Sequence, residues 1–443
     1  MRIAFFTPLN PIRSGISDYS EELLPFLGEL ADIDIVANGQ SGSADIRKRF
    51  SVLSPDQFLS ARSSYDCVFY QIGNNYPSHG YMLSCLAAVP GIVVLHDYSL
   101  TYLMLPATVA KGDYRSLREI VQPRYGARTA AVARKLLLGV TDPYQVSLAR
   151  PVLDMSQAVI VHNRHSYNRL VTEFPELRVK LIPHATPTRE LPANPSALRA
   201  AYGFAADDLI IASLSTIAYN KRIDLIFAAL QRLRTKYPKL KFVIVGAGEL
   251  GTRAALIQRY DLVDCVLHTG WVAEQKYLDY IDLVDVAVDL RYPTAGETSG
   301  SILRAMQAGK PLVVSAEGSF LELPDECCLR LPVGGTEIDA VYNALDQLLA
   351  NSERRLMMGT AGRKFAHTHL RIEQAASSYF ELAREIVSRP RNVRKVWSFP
   401  DTPDRSVRGR LISSAYKAGR LMYYYRRYGL QGTWKRVRSA STD

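Results

Sequence analysis

The chain has 443 residues, of which 47% are hydrophobic and 22% charged. This composition excludes a disordered, collagen-like or coiled-coil protein, and the length fits two domains with an appendage. No uncharged apolar run reaches the ~18 residues that span a bilayer, and the first apolar stretch is too short for a signal peptide. The five cysteines include no Cys-x-x-Cys pair, which favours buried thiols in a cytosolic protein over disulfides or a zinc site.

The positive charge is concentrated at the C-terminal end of the chain. The formal net charge is +11. Residues 389–443 contain fourteen Lys and Arg against three Asp, whereas residues 1–388 contain 40 basic and 40 acidic residues. The sequence therefore predicts a neutral body and a basic tail.

The tail begins with a proline-interrupted stretch, which predicts a tether, and continues with an apolar stripe at helical spacing. The stripe consists of Leu411, Ala415, Ala418, Met422 and Tyr425, with cations off it. We therefore predict an amphipathic basic helix within residues 408–438. Tyr425 and Trp434 among arginines favour binding to an anionic membrane surface.

Two other interpretations of the tail stay open. The helix could pack on the body of the protein and leave a solvated charged face, or its cations could bind nucleic acid. Because no recognition motif accompanies the charge and the body is neutral, we expect no nucleic-acid partner.

Short β-type runs alternate with helical patterns along the body, in two series. The first series is 2–7, 34–37, 67–71, 92–96, 158–162 and 180–183. The second series is 209–214, 241–245, 265–268, 286–289, 311–315 and 328–331. Such alternation predicts an α/β protein with two doubly wound, Rossmann-like parallel sheets.

A proline-rich stretch at residues 185–195 separates the two series. We therefore predict an N-terminal domain over residues 1–187, a C-terminal domain over 188–388 and the tail over 389–443. A final helix near 372–388 is expected to pack back on the first domain. Ligands of such sheets bind at the carboxyl ends of the strands, in a cleft between the domains.

Two strand ends of the first domain carry candidate ligand-binding residues. Gly15 follows the first strand at the start of a helix, where free N–H groups attract anions. An ordinary turn with an Asp or Ser cap fits the same residues equally well. His96 directly follows the strand at 92–95, where it either faces a ligand or bonds only to backbone.

The second domain offers cations at a helix start. Lys221 and Arg222 follow the strand 209–214 and open a helix. Two cations there oppose the helix macrodipole unless they bind an anion, of which a diphosphate is the simplest. A solvated charge pair is the alternative.

Two further segments of the second domain suit a nucleotide ligand. Gly246 and Gly248 follow the strand 241–245 and permit close approach of a base or ribose, although the next strand lacks the acid that a dinucleotide fingerprint needs. Glu297, Thr298 and Ser299 precede a helix. Glu297 can bond sugar hydroxyls, and the N–H groups beside it can bond phosphate oxygens.

A metal site is not favoured. Asp32 and Asp34 have the spacing of a metal-diphosphate motif, but Asp34 opens a strand, and surface pairing is the more common role there. No other cluster of carboxylates and histidines suggests a metal. We therefore expect no metal and no other cofactor.

Together these segments resemble the retaining nucleotide-sugar glycosyltransferases of family 4, which have two Rossmann domains in the GT-B arrangement. The resemblance covers about residues 1–388. Its carriers are Thr7-Pro8, the run 14–20, His96-Asp97, 159–162, Ile182-Pro183-His184, Asn220-Lys221-Arg222, 245–248 and 296–306.

The resemblance implies transfer of a sugar from a nucleoside-diphosphate sugar, without a metal and with retained anomeric configuration. The first domain would then face the acceptor and the second would bind the nucleotide sugar. Lys221 matches the lysine that binds the donor phosphates, and Glu297 the first of two paired glutamates. His96 matches a histidine near the transferred sugar, and Gly15 a glycine loop near the diphosphate.

Two positions depart from the family pattern. The family often has an arginine five residues before its lysine, where this chain has Thr216, so Arg222 is expected to supply the second charge. The paired glutamates normally have seven residues between them, but here Arg304 follows Glu297 after six. The ribose contact of the second glutamate is thereby put in question.

The sequence thus predicts a hexosyltransferase-type enzyme that acts on a saccharide or lipid-linked saccharide in cell-surface polysaccharide biosynthesis. It would be cytoplasmic and peripheral on the inner face of the cytoplasmic membrane. A non-catalytic nucleotide-sugar-binding or scaffold protein, and a nucleotide-sugar epimerase of the same fold, are the alternatives.

Overall fold

The computed structural model describes residues 1–39, 41–248, 251, 253–334, 337–393 and 395–439. In its last helix the side chains at 428, 430–432 and 434–439 are outside the description, and so is the predicted membrane contact of Trp434. The strands are β1 Arg2–Phe6, β2 Asp32–Val36, β3 Ser51–Leu53, β4 Cys67–Ile72, β5 Ile92–Leu95, β6 Ala158–Val161, β7 Val179–Leu181, β8 Leu209–Ser213, β9 Leu240–Val245, β10 Val266–Gly270, β11 Val286–Asp289, β12 Leu312–Ser315 and β13 Cys328–Leu331.

These strands form two sheets in which all described pairs are parallel. The first has seven strands in the order β3-β2-β1-β4-β5-β6-β7, and the second has six in the order β10-β9-β8-β11-β12-β13. In each sheet the strand order reverses beside β1 or β8, which opens a crevice at the carboxyl ends of those strands. The predicted α/β fold with two doubly wound Rossmann-like sheets is confirmed.

The apolar strands have two buried faces because helices cover both sides of each sheet. In β1, Ala4 and Phe6 belong to one hydrophobic cluster, whereas Ile3 and Phe5 belong to another. Successive side chains of a strand point to opposite faces, so each cluster is one side of the first sheet. This explains why the strands are continuous apolar runs rather than alternating patterns.

The helices fill both faces of the sheets and the connections between them. They are α1 Gly15–Leu27, α2 Ala44–Arg49, α3 Pro55–Ala61, α4 Tyr76–His79, α5 Met82–Ala88, α6 Thr101–Ala107, α7 Tyr114–Tyr125, α8 Thr129–Leu137, α9 Arg150–Asp154, α10 Arg164–Glu173, α11 Pro195–Ala201, α12 Ile223–Lys236, α13 Arg253–Arg259, α14 Glu274–Leu283, α15 Gly300–Gln307, α16 Glu337–Ala350, α17 Ser352–His369, α18 Ile372–Ser388 and α19 Val407–Ser439.

After the second sheet the chain returns to the first domain through α18. Ile372 and Tyr379 of α18 lie in the hydrophobic cluster that contains β1, and the hydroxyl of Tyr379 is 3.2 Å from that of Tyr19 in α1. An isolated parallel bridge between Thr186 and Arg371 marks the place where the chain crosses between the domains. The two domains are thus joined by two neighbouring connections.

The non-helical part of the tail lies against the first domain instead of extending as a tether. Trp397 is 4% exposed in the core of that domain, and its Nε1 donates to Oδ2 of Asp154 at 2.9 Å. Further along, Lys111 donates from Nζ to the carbonyl oxygen of Pro400 at 2.5 Å. The prolines that predicted a tether therefore shape a packed, irregular segment.

Helix α19 also packs on the first domain, but through a different face from the predicted stripe. Among the side chains of α19 that the structure describes, the buried positions are Gly409, Tyr416, Gly419, Tyr423 and Thr433. By contrast, the predicted stripe is largely exposed, with Leu411 at 65%, Met422 at 49% and Tyr425 at 50%. The helix contacts the first domain through small and aromatic residues, whereas the aliphatic side chains of the predicted stripe are exposed to solvent. Among the described residues, no helix combines the length and apolar character that crossing a membrane requires.

Candidate active site

A cleft of about 540 Å³ lies between the two domains, at the carboxyl ends of both sheets. From the first domain it is lined by residues that follow β1, β5, β6 and β7, including Gly15, His96, His162 and His184. From the second domain it is lined by residues that follow β8, β9 and β11. Its volume suits a nucleotide-sized ligand.

The first wall of the cleft is the start of α1. Ser14 caps this helix by accepting from the backbone N–H of Ile16 at 3.2 Å. A Cβ placed on Gly15 would meet nothing within 4 Å, so this glycine leaves open space on the side of the cleft. Burial raises the pKa of Asp18, one turn along the helix, to about 6. The helix start thus presents free N–H groups and, one turn further on, a buried carboxyl group with a raised pKa.

Two buried cations and one carboxylate form the opposite corner. Nζ of Lys221 lies 3.3 Å from Oδ1 of Asp289, and Nη2 of Arg291 donates to Oδ2 of Asp289 at 2.7 Å. Burial, with Arg291 nearby, lowers the pKa of Lys221 to about 8. Burial alone would raise the pKa of Asp289, but Arg291 and Lys221 hold it at about 2. One ionised carboxylate therefore holds two cations side by side at the cleft wall.

Glu297 is fixed by the loop that precedes α15. Its carboxylate accepts from Nη1 of Arg291 at 2.9 Å, from the hydroxyl of Thr294 at 2.8 Å and from the N–H of Ala295 at 2.7 Å. Burial opposes ionisation, but Arg291 and Lys221 lower the pKa of Glu297 below its ordinary value. Glu297 is thus a rigid, charged acceptor at the start of α15.

The floor of the cleft on the first-domain side is a cluster of histidines. The rings of His96 and His162 are 4.9 Å apart, and those of His162 and His184 are 5.4 Å apart. Burial, and next the neighbouring His162, lowers the pKa of His96 well below its ordinary value. Nε2 of the neutral His96 lies 2.6 Å from Oε1 of Gln71, which leaves Nδ1 as an acceptor.

Asp97 is a second carboxyl group in the cleft. Its Oδ2 accepts from the N–H of Asn74 at 2.8 Å. Burial, and next the charge of Glu297, raises its pKa to about 7. A carboxyl group with this pKa can either donate or accept a hydrogen bond at neutral pH.

Arg304 extends from α15 to the first domain. Its Nη2 lies 2.7 Å from Oε1 of Glu22 in α1, and both side chains are largely buried, with 13% and 14% exposed. Ala305, the next residue, is fully buried in the core of the second domain. Where a second glutamate would bring negative charge, this helix thus brings a cation that pairs across the cleft.

The structure brings seven of the nine predicted site residues to the cleft wall: Gly15, His96, Lys221, Gly246, Glu297, Thr298 and Ser299. Gly248 lies just beyond the wall and has a φ of +110°, a conformation that favours glycine. Arg222 adopts a left-handed conformation with φ of 49° and its side chain pairs with Glu337. Glu249 and Leu250, which complete the glycine-rich run, lie outside the described residues.

Two functional candidates were missed by the sequence reasoning, Arg291 and Asp97. Arg291 takes the place that Arg222 was expected to hold beside Lys221. Its position two residues after the end of β11 is the only sequence signal that could have identified it. Asp97 adjoins His96 and was named only as part of the family resemblance, without a role of its own, whereas it lines the cleft.

Some residues of the predicted alternatives have other roles. Asp34 pairs with Arg2, whose Nη2 lies 2.7 Å from its Oδ2, in keeping with surface pairing. In the part of the chain that the structure describes, no three His, Cys, Asp or Glu side chains are grouped so as to hold a metal ion. All five cysteines are buried and free.

Comparison with known families gives a match in the second domain. Residues 196–365, somewhat less than half of the chain, match the family described as Glycosyl transferases group 1. This range contains Lys221, Arg291, Glu297 and Arg304.

The names of two curated relatives describe enzymes that act on phosphatidylinositol compounds. One is the GDP-mannose-dependent alpha-(1-6)-phosphatidylinositol monomannoside mannosyltransferase of Mycolicibacterium smegmatis, 27% identical over 51% of this chain and 61% of that protein. The other is the phosphatidylinositol N-acetylglucosaminyltransferase gpi3 subunit of Schizosaccharomyces pombe, 29% identical over 33% of this chain and 30% of that protein. The chain thus spans less than two thirds of the length of either relative.

Among solved structures, the Anabaena protein Alr3699/HepE in complex with UDP and glucose is similar over 87% of this chain and 100% of its own, with a TM-score of 0.62 and 14% identity. A likeness at this identity concerns the fold. Over most of its length the chain therefore has the two-domain GT-B fold, and its second domain matches the glycosyl transferases of group 1.

Proposed function

We propose that the protein is a retaining glycosyltransferase that moves a sugar from a nucleoside-diphosphate sugar to a saccharide or lipid-linked saccharide in cell-surface polysaccharide biosynthesis. The observation that carries this proposal is the pair of buried cations, Lys221 and Arg291, at a cleft between two Rossmann-like domains. Asp289 and Glu297 pair with these two cations, so the corner is neutral overall. A diphosphate would bind there through the ammonium group of Lys221 and the free N–H groups at the start of α15.

In the proposed reaction the bond between the anomeric carbon and the diphosphate oxygen breaks. The acceptor oxygen bonds to the anomeric carbon on the same face, and its proton passes to the leaving phosphate oxygen, as the family resemblance implies. Lys221 and Arg291 stabilise the negative charge that grows on the leaving group. Charged donors in a closed cleft typically contribute ~2–4 kcal/mol to such a step.

The sugar ring would lie between the start of α15 and the histidine floor. The ionised Glu297 and the neutral His96 are both hydrogen-bond acceptors, which suits them to the hydroxyl groups of a sugar. Asp97 can donate a hydrogen bond to a sugar hydroxyl or accept one from it. These contacts would hold the anomeric carbon between the diphosphate and the entering acceptor.

The names of the relatives suggest which substrates to test first. A GDP-mannose-dependent mannosyltransferase and an N-acetylglucosaminyltransferase subunit, both named for phosphatidylinositol compounds, support a lipid-linked acceptor. We propose, as the family resemblance implies, that the donor needs no metal or other cofactor and that its diphosphate is bound by Lys221 and by the N–H groups at the start of α15.

We further propose that α19 holds the cytoplasmic enzyme at the anionic inner face of the cytoplasmic membrane, where a lipid-linked acceptor would reside. The exposed Leu411, Met422 and Tyr425 lie on a helix rich in cations, which supports this role. Cations near an anionic leaflet contribute ~1 kcal/mol each, so a few of them suffice for reversible attachment. Packing of one face of α19 on the body leaves the other face available.

The proposed activity is tested with purified protein and a panel of GDP-mannose, UDP-glucose and UDP-N-acetylglucosamine, with and without a membrane lipid extract. We expect one donor to release its nucleoside diphosphate and to yield a glycosylated lipid whose anomeric configuration, read by NMR, matches the donor. An isomerised nucleotide sugar would instead identify an epimerase. Binding of a nucleotide sugar without turnover would identify a non-catalytic protein.

A further inference from the structure

The C-terminal helix is attached to the first domain by close backbone contacts. A Cβ placed on Gly112 would lie 2.8 Å from Cα of Gly409, and one placed on Gly419 would lie 2.6 Å from the carbonyl oxygen of Leu137. In addition, the hydroxyl of Ser413 donates to the carbonyl oxygen of Ala110 at 2.9 Å. Because these glycines bring the backbone of α19 directly against the backbone of the first domain, the helix has little freedom to slide along that domain.

Farther along, the same helix touches the second domain. Its Tyr423 is 4% exposed, and the ring of Tyr423 lies 6.4 Å from that of Tyr219 at an interplanar angle of 85°. The guanidinium of Arg427 lies 4.5 Å from the ring centre of Tyr219 and 3.9 Å from that of Tyr423. A cation between two tyrosine rings thus links the tail to the second domain.

A first-domain carboxylate completes this contact. Asp142 accepts from the hydroxyl of Tyr219 at 2.9 Å and from Nη2 of Arg427 at 2.7 Å. The side chains of Arg427 and Asp142 are 25% and 15% exposed. Three parts of the chain therefore meet at Asp142: the first domain, the second domain and the tail.

Tyr219 stands on the short turn Tyr219–Lys221, which delivers Lys221 to the cleft. The turn is closed by the N–H of Lys221, which donates to the carbonyl oxygen of Ala218 at 3.1 Å, and the carbonyl oxygen of Asn220 accepts from the N–H of Tyr292 at 2.8 Å. Tyr219 itself does not line the cleft. Only Asn220 separates Tyr219 from Lys221, so the two side chains share one short, hydrogen-bonded turn.

We propose that Arg427, Tyr423 and Asp142 are positioning residues that hold Tyr219, and through it the amino group of Lys221, in the place where the donor diphosphate binds. The inference rests on the proposed function and adds to it that the basic tail completes the donor site. It accounts for the glycine contacts of α19, which fix the helix in the register that brings Arg427 to Tyr219. The face of α19 that meets solvent remains free for the membrane.

The test compares Arg427→Gln with Arg426→Gln, a matched control at the adjacent exposed position. Turnover of the nucleotide sugar found in the panel is measured without membranes, and GDP and UDP binding is measured by calorimetry. We expect Arg427→Gln to lower turnover and nucleoside-diphosphate affinity about tenfold, because misplacing a reacting group by a fraction of an ångström has such effects. The control should stay within twofold of the unaltered protein.

A double-mutant cycle separates positioning of Lys221 from a general structural role. In a Lys221→Ala background, Arg427→Gln should change turnover and affinity less than twofold further, since the group it positions is gone. An equal tenfold loss in both backgrounds, or no loss in the first, would overturn the inference. Should the unaltered protein neither bind GDP or UDP nor turn over a donor, the proposed function itself would fail, and the inference with it.

A second variant guards against simple unfolding. Tyr219→Phe keeps the aromatic ring that contacts Arg427 and Tyr423 but removes the hydroxyl that donates to Asp142. We expect a smaller loss of turnover, about threefold, with the melting temperature lowered by only a few degrees, since one hydrogen bond contributes about 1 kcal/mol. A loss of turnover that only follows a loss of melting temperature across both variants would contradict a positioning role.

Discussion

Arg304 of α15 and Glu22 of α1 form an ion pair across the cleft, with 2.7 Å between Nη2 and Oε1. The two helices belong to different domains, so this pair links the domains at the wall of the cleft. Burial raises the pKa of Glu22, and Arg304 acts in the opposite direction. Without Arg304 the carboxylate would be buried and unpaired, which is unfavourable in a closed cleft.

We therefore expect Arg304→Ala to raise the KM for the donor about tenfold, equivalent to about 1.4 kcal/mol, because part of the binding free energy would be spent on closing the domains. Arg304→Lys keeps the charge and should recover most of the affinity. Steady-state kinetics with varied donor concentration measures both. A KM for Arg304→Ala within twofold of the unaltered protein would show that the pair has no role in closure.

The lowered pKa of Lys221 predicts a pH dependence. Burial and Arg291 bring this pKa to about 8, so the free enzyme loses the ammonium charge as the pH rises through 8. The kcat/KM for the donor, which reports the free enzyme, should fall above that pH. Since bound diphosphate favours the charged lysine, kcat should fall only at higher pH.

Lys221→Arg supplies the control for this profile. Arginine stays charged throughout the accessible range, so the fall above pH 8 should disappear even if the activity is lower. A variant that retained the same alkaline limb would assign the titration to another group.

The buried Trp397 predicts that the tail contributes to stability. Its indole packs in the first-domain core and donates to Asp154, so Trp397→Ala should remove about 3–5 kcal/mol and lower the melting temperature. Val396→Ala, at a neighbouring position that is 58% exposed, should have little effect. For the same reason a chain ending near Ser388 should be less stable than the full chain, contrary to what a detached tether would give. If Trp397→Ala and the shortened chain both melted at the same temperature as the full chain, this packing would be contradicted.

The exposed face of α19 predicts membrane attachment that depends on apolar side chains as well as charge. A double substitution Leu411→Ser and Met422→Ser should reduce flotation with vesicles of phosphatidylcholine and phosphatidylglycerol several-fold, and high salt should release the unaltered protein. Leu356→Ser serves as the control, because Leu356 is 71% exposed but lies on α17 of the second domain. Equal flotation of the double variant and the control would argue against this face as the attachment site.

The sheets could be predicted from the sequence because buried parallel strands are apolar runs between helical patterns. Twelve of the strands coincide with predicted runs. The exception is β3, a three-residue edge strand in which Ser51 is exposed and its neighbours only partly buried. This segment is short and polar, and it forms a strand because it pairs with β2. The local sequence gives no sign of that pairing.

Site residues that directly follow a strand could be predicted from the sequence. The direction of a side chain that depends on the geometry of a turn could not. Lys221 and Arg222 are adjacent in sequence, but the left-handed turn at Arg222 directs its side chain to Glu337, 115 residues away. Likewise the apolar stripe of α19 was identified, yet the helix packs through Gly409 and Gly419. Small residues allow closer backbone approach than an aliphatic face does, and hydrophobic periodicity carries no information about that.

In the proposed reaction, Lys221 stabilises the leaving diphosphate of a sugar donor. The most direct test of this role is the rate of nucleoside-diphosphate release from the preferred nucleotide sugar, at saturating donor and pH 7, by the unaltered protein and by Lys221→Ala. If the ammonium group contributes ~2–4 kcal/mol to the transition state, the variant should be slower by about 30-fold to 1000-fold. Near-normal turnover by Lys221→Ala would contradict the assignment of this corner of the cleft to the diphosphate.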